Sequence, residues 1–336
     1  MGVAVGHALP ADPADDTPRK IVSRASAADR VYRGILRAAG LSVLVITVLI
    51  LVFLVIQAWP AIRAEGYRLI TTSTLTPGNN RFGVAALLPY SGYVAVIALA
   101  IAVPMGFAAA LYISEYAPER LGRPLIAVVD VLAAIPSIVF ALWGLIFLQP
   151  AVIGLTGWLG KYLGWIPLFR VPANASGTEL AGSTFIAAVV VSMLVLPIII
   201  SLSRQVFSQA PQGEREAAYA LGSTRWGMVR TVVLPFGRAG MIGSSMLGLG
   251  RALGETIVVS FLLVIDQSSA TFNPHMLQSG GNTITSEIAN TIFSFDKKGV
   301  AFLLAAGLIL FATTLIINTV ASIVISRSRS GATTQD

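Results

Sequence analysis

The chain has no cysteine and only two histidines in 336 residues. Without cysteine there is no disulfide framework, no thiolate metal site and no cysteine nucleophile, and two imidazoles leave little for a metal cluster. Charge is scarce too. Charged residues make up 12% of the chain and hydrophobic ones 55%, with a mean hydropathy of +0.78; a soluble domain carries about 25% charged residues. This is the composition of an integral membrane protein, all-α and polytopic. The isoelectric point near 10.0 is read first as a topology signal on cytoplasmic loops, since basic residues gather there in membrane chains.

What is abundant is long apolar sequence. Leu41–Trp59 is an uncharged run long enough, at about 1.5 Å per residue, to cross a hydrocarbon core of roughly 30 Å. It follows a polar stretch of about forty residues, too long and hydrophilic for a simple cleaved signal, so it is expected to be an uncleaved anchor. Further spans are expected at Pro89–Ser114, Leu125–Leu148, Ser183–Leu202, Gly240–Ile265 and Val300–Ile325, giving six transmembrane helices. Pro104, Pro136 and Pro197 fall inside these expected helices, and the carbonyls they free need neighbouring helices or cavity water. Trp158, Tyr162, Trp165 and Phe169 form an aromatic stripe interrupted by Pro167 and carrying Lys161. Such residues prefer the headgroup zone, so a short outer interfacial helix is expected here rather than a seventh span.

With the N-terminus inside, fifteen basic residues fall on the cytoplasmic side, seven outside, and Arg251 within a span. The positive-inside rule therefore puts both termini in the cytoplasm. The expected organisation is an N-terminal tail over 1–38, a membrane region over 39–326 containing a polar loop at 208–238, and a C-terminal tail over 327–336. In that loop, Glu216–Leu221 are helix formers, Gly222 interrupts, Ser223 or Thr224 can cap a second helix, and Pro235 precedes the next span. A bent helical pair with small Ala217 and Ala218 suits docking into a partner's groove; an ordinary amphipathic connector is the alternative.

The spacing Glu216-Ala217-Ala218, three residues, Gly222, nine residues, Val232-Val233-Leu234-Pro235 resembles the EAA loop of ABC importer permeases. Val232 in place of isoleucine is the one mild departure. "GLGRALGETIVV" (Gly248–Val259), "AAIPSIVFALWGL" (Ala133–Leu145) and "ALYISEYAPERLGRP" (Ala110–Pro124) are similar to the phosphate-specific permeases, most of all the PstC-type subunit, and the resemblance runs from Arg81 to Arg327. It implies the fold of type I ABC importer permeases. It also implies a PstA-type second permease, two ATPase subunits, an extracytoplasmic phosphate-binding protein, inorganic phosphate as cargo, and a place in the bacterial plasma membrane. By the same resemblance Glu216, Ala217, Ala218, Gly222, Leu234 and Pro235 form the ATPase docking loop. The chain contains no G-x-x-x-x-G-K-[ST] pattern, so ATP and Mg are expected on the partner ATPase, with no cofactor or metal held by this chain.

Arg251 and Glu255 are four residues apart in the expected fifth span, so on a continuous helix they can pair. A central intramembrane Arg costs roughly 2.5–3.5 kcal/mol and marks pathways. Two roles stay open: a translocation path in which Arg251 attracts an oxyanion, Glu255 moderates it and Thr256 lies beside them, or a purely structural ion pair. Gly240, Ser244, Gly248, Ala252, Thr256 and Ser260 form a ladder of small residues for close helix packing, with a partner subunit as one candidate neighbour. Asp130 is expected as a structural anion near the start of the third span. Glu115, Glu119, Arg120 and Arg123 are expected in a solvated loop, and His275 in a loop outside the membrane. Rival readings are an ABC permease for sulfate, molybdate or another anion, and a proton-coupled carrier using the Arg251 and Glu255 pair. A membrane enzyme is a further rival, but it lacks a nucleophile or acid–base pair.

Overall fold

Six helices among the described residues are long and apolar enough to cross a membrane: Ala27–Glu65, Leu87–Tyr116, Ser137–Leu163, Thr184–Ser208, Arg225–Leu253 and Lys297–Ile323. The structure, a computed structural model, describes residues 26–72, 75–76, 81–82, 84–172, 177–263 and 273–329. The expected tail residues Arg19, Lys20 and Arg24, the end of the expected fifth span at Val264 and Ile265, and residues 330–336 lie outside these. Two units emerge, one up to Val52 and one from Phe53 onward.

In the first unit, α1 (Ala27–Glu65) starts where Ser26 and Asp29 exchange hydrogen bonds, each backbone N–H donating to the other's side chain at 3.2 Å. This reciprocal cap satisfies orphan donors of the first turn. Residues 27–38 are therefore helical and continuous with the first crossing.

In the second unit, the end of α1 packs Ala58 and Ala61 against Leu69 of the single turn α2 (Arg68–Thr71) and against Ala301 and Ala305. Two-residue strands β1 (Leu75–Thr76) and β2 (Arg81–Phe82) pair antiparallel. The second span is α3 (Leu87–Leu111), extended by a π-turn over Tyr112–Tyr116. Then comes the largest departure from expectation. Ile135 has an extended backbone (ψ 128°) ahead of Pro136, as the clash between proline and the preceding residue requires. The expected third span is thereby split. Its first part is a separate helix, α4 (Glu119–Ala134), and the crossing helix begins after Pro136 as α5 (Ser137–Trp143), passes a π-turn at Gly144–Leu148, and continues as α6 (Gln149–Leu163).

Pro136 therefore caps a helix instead of lying inside one. The residues expected in an outer interfacial helix are the end of the third crossing, with Trp158 and Tyr162 rings 5.1 Å apart on its last turns and only a 3-10 turn at Pro167–Phe169 beyond. The aromatic belt is placed at a span end, where such rings favour the headgroup level. Asp130, exposed on α4, precedes the third crossing rather than lying within its first turns.

The single turn α7 (Gly177–Leu180) leads to α8 (Thr184–Ser208), the central helix, in which Ile186, Val190, Val191, Val195 and Ile199 are fully buried. Lipid tails are as apolar as these side chains, so close contact holds the bundle. A side-chain carbon at Gly106 of α3 would lie 2.7 Å from Ile199, and one at Gly144 equally close to Val190. After α9 (Gln212–Ala220), the one-turn α10 (Arg225–Met228) runs through a π-turn at Val229–Val233 into α11 (Leu234–Leu253). The fifth crossing thus starts well before Gly240. A widened turn just ahead of Pro235, which has no N–H and crowds the preceding turn, lets the helix continue through it. The chain then breaks and restarts as α12 (Ile257–Leu262), followed by the short α13 (Ile284–Thr291) and the last span within α14 (Lys297–Arg329). Residues 327–329 continue this helix beyond the candidate span.

Candidate functional site

Two interruptions of helix carry the candidate sites. The first is the joint between α9 and α10. Gly222 has φ +80°, a left-handed conformation that glycine adopts without steric penalty. Its N–H donates to the Tyr219 carbonyl at 2.9 Å and the Ser223 N–H reaches back to Ala218 at 3.1 Å, the paired bonds that close a helix C-terminus. Thr224 Oγ1 then accepts from the Gly227 N–H at 3.2 Å and starts α10. The two helices meet at Gly222 as the sequence predicts, with Thr224 rather than Ser223 as cap.

The faces of this joint differ. Ala218, Met228, Val229, Val232 and Val233 pack inward with Phe207, Ala110 and Val129. Ala218 therefore seats α9 on its own bundle, a correction to its expected place beside Ala217 in close approach to a partner. Glu216 and Ala217 are exposed, together with Tyr219, Trp226 and above all Leu221, at 88%. Leu234 is half-buried and Pro235 exposed at the start of α11. Inward, Arg215 pairs with Glu115 at 2.8 Å. Glu115 is 5% exposed, so the solvated loop expected for it is replaced by a buried ion pair. Glu119, Arg120 and Arg123 are exposed.

The second interruption lies between α11 and α12. Arg251 sits in the last turn of α11, which stops at Leu253. Gly254 and Glu255 donate backbone bonds to Gly250 and Ala252, and the Glu255 carboxylate turns forward to accept the Val258 N–H at 3.3 Å. Glu255 is buried and Arg251 exposed. They form no ion pair, because the four-residue spacing brings side chains together only on an unbroken helix. Thr256 Oγ1 donates to the Gly254 carbonyl at 3.3 Å.

The ladder of small residues faces α8 of the same chain rather than a partner. Side-chain carbons added at Gly240 and Gly248 would collide with Val206 and Val195, Ser244 and Ser203 share a hydrogen bond of 3.0 Å, and Ala252 is buried in the core. The ladder ends where α11 ends, and Ser260 instead meets Ser286 of α13 at 2.9 Å.

That second contact belongs to a polar cluster for which no role was anticipated. Thr285 Oγ1 donates to the Glu255 carbonyl at 3.0 Å, Thr283 Oγ1 caps α13 by accepting the Ser286 N–H at 3.3 Å, and Asn282 Nδ2 donates to Glu287. Asn282 Oδ1 is buried without a partner. Burial pushes the Glu287 carboxyl above the usual range, offset in part by hydrogen bonds from Thr291 and Asn282. The run Thr283-Ile-Thr-Ser-Glu287 carries a helix-start signal that could have located α13. Nearby, His275 lies in the loop before α13, its Nδ1 2.6 Å from the Pro167 carbonyl, which requires the proton on that nitrogen.

Residues 102–330 match the family model described as binding-protein-dependent transport system inner membrane component. The phosphate transport system permease protein PstC 2 of Mycobacterium tuberculosis is 39% identical over 297 residues, covering 87% of this chain and 90% of the relative. PstC of Xylella fastidiosa is 34% identical over 307 residues, covering 90% and 92%. A bacterial ABC transporter involved in import of the acidic polysaccharide alginate has the same fold at 16% identity, with a TM-score of 0.51 over 89% of this chain and 99% of that one. With two interrupted helices around a central α8 and a family match spanning most of the sequence, the chain belongs to the inner membrane components of binding-protein-dependent transport systems.

Proposed function

We propose that this chain is the PstC-type permease subunit of an ATP-driven importer of inorganic phosphate. It works with a PstA-type second permease, two ATPase subunits and an extracytoplasmic phosphate-binding protein. The observation that carries the coupling half of this reading is the joint at Gly222: a turn held by paired backbone bonds, seated inward through Ala218 and presenting Glu216, Ala217, Tyr219, Leu221 and Trp226 outward. An exposed apolar cluster on a rigid element is a docking surface for a partner, here the cleft of the ATPase. Leu234 and Pro235 set the angle at which α11 leaves it. ATP and Mg are handled by that partner. Both termini and the joint face the cytoplasm, as the basic residues direct.

The cargo reading draws on the phosphate transport named for the relatives and on Arg251. An exposed guanidinium at the end of a membrane helix cannot be left to lipid, and among the described residues no side chain pairs with it. Arg251 therefore faces the path between the two permeases and supplies positive potential to an oxyanion. Glu255 acts at one remove, holding the start of α12, with Thr256 in the linking turn. The proton-coupled alternative needs an Arg251 and Glu255 pair, which the break in the helix separates.

The test is to copurify the chain with the partner permease and ATPase and to assay ATP-dependent uptake in proteoliposomes. Competition by phosphate and arsenate, with weak competition by sulfate, is the expected result. Preference for sulfate or molybdate would reassign the cargo, and uptake by this chain alone under a proton gradient would overturn the importer reading.

A further inference from the structure

The π-turn Tyr112–Tyr116 at the end of the second span holds both helices of the coupling joint through two consecutive residues. Glu115 Oε2 accepts from Arg215 Nη1 of α9 at 2.8 Å, and the Tyr116 ring lies 5.1 Å beneath the Arg225 guanidinium of α10. Arg215 uses its other donors on the end of the fourth span: Nη2 reaches the Phe207 carbonyl at 2.7 Å and Nε the Ala210 carbonyl at 3.2 Å. Carbonyls at a helix C-terminus lack intrahelical donors, and the helix dipole favours a cation there. One arginine thus ties α9 to the ends of spans two and four.

The tie is costly for mere stability. The Glu115 side chain is 3% exposed and that of Arg215 16%, and a buried ion pair seldom outperforms a well-packed apolar pair. What it supplies is direction. The guanidinium is a planar fork whose donors cannot reorient independently, and Glu115 is held in turn by Ser114 Oγ at 3.0 Å. On α9, the outward residues Glu216 and Ala217 directly follow Arg215, and neighbouring positions project about 100° apart. The only other inward residue of that helix is Ala218, whose methyl group packs but cannot pull.

We propose that Glu115 and Arg215 are positioning residues that convey movement of the ATPase-docked α9 to spans two and four. This rests on the reading of the joint as the ATPase socket. Without the pair, α9 remains docked to the ATPase but slips over the bundle, so ATP is hydrolysed without cargo moving.

The experiment uses the complete transporter, with binding protein, in proteoliposomes, and reads ATP hydrolysed per phosphate imported. The wild-type complex must first retain its ATPase and import phosphate; failure there overturns the functional reading itself, independently of the pair. For Glu115→Gln and Arg215→Gln, the expected result is retained ATPase copurification, hydrolysis within about twofold of wild type, and uptake reduced about tenfold or more. Glu115→Asp, which keeps the charge, is expected to return the ratio to within about threefold of wild type. Should Arg215→Gln fail to assemble, Arg215→Lys keeps the charge without the fork and is expected to assemble with a raised ratio. Uptake and hydrolysis falling in the same proportion, or a wild-type ratio in the assembled variants, would overturn the proposal, since a merely structural pair changes the amount of working transporter and not its stoichiometry.

Discussion

The two interruptions of helix in this chain are built on opposite principles. At Gly222 the backbone bonds are closed, the inward charge of Arg215 is paired, and what stays exposed is mostly apolar, with Ala217, Tyr219, Leu221 and Trp226 beside Glu216. Between α11 and α12 the backbone is also bridged, yet the charges are separated: Glu255 is buried and turned to the next helix, while Arg251 is left exposed. As proposed, the first transmits force to a protein partner; the second leaves a cation available in an apolar setting. A glycine follows or ends a helix in both, so the difference lies in where the neighbouring charges go.

Arg251→Ala is the sharpest way to break this comparison. Phosphate uptake by the assembled complex is expected to fall about a hundredfold or more while ATPase copurification persists, because a charge on the path has no substitute. Wild-type uptake would remove Arg251 from the path. At the joint, Gly222→Val forces a branched side chain into the left-handed region at a cost of roughly 1–2 kcal/mol. It re-aims Leu221 and is expected to lower stimulated ATPase and uptake together by about tenfold. That outcome differs from the uncoupling expected at Arg215.

The two faces of α9 separate next. Ala218→Leu overpacks the bundle and should destabilise the purified chain by about 1–3 kcal/mol, seen as a lower Tm in detergent. Ala217→Leu should leave Tm unchanged and weaken ATPase copurification. The reverse pattern would turn the helix over. A smaller effect is expected for Glu255→Gln, whose amide oxygen still accepts the Val258 N–H: uptake within about twofold of wild type, with Glu255→Leu costing about 1 kcal/mol of stability through the lost cap. Abolished uptake in Glu255→Gln would mean that its charge acts on cargo.

The smallest effect is a pH dependence. Because burial raises the folded-state pKa of Glu287 above 4.5, the folded form binds the proton more tightly than the unfolded chain. Stability from this group is present below the unfolded pKa and is lost as pH rises through the folded value. Glu287→Gln should therefore raise Tm relative to wild type more at pH 7 than at pH 4; an equal difference at both would remove the linkage.

The joint was legible because glycine, cap and small residues keep a local spacing. Four of the six crossings were legible too, since Leu41–Trp59 and its like are apolar over a full membrane thickness. The third crossing was misplaced because Leu125–Leu148 is as apolar as Ser137–Leu163, and nothing local tells a proline inside a helix from one that begins it. Glu115 was missed for another reason: its partner is 100 residues away, while Glu119 and Arg120 close by offer a plausible solvated cluster. The Arg251 and Glu255 pair failed on the assumption of an unbroken helix, although Gly254 stands between them.

Among the described residues, three crossing helices contain a π-turn, at Tyr112–Tyr116, Gly144–Leu148 and Val229–Val233. Each such turn holds one surplus residue compared with the ordinary coil. Because the hydrogen bond of such a turn reaches five residues on instead of four, the surplus is absorbed within the turn, and taking it out would leave the rod downstream at nearly the same azimuth while erasing the local bulge. A one-residue deletion inside such a bulge should therefore be borne by the rest of the rod, whereas the same deletion in an ordinary stretch of it would swing everything downstream by about 100°.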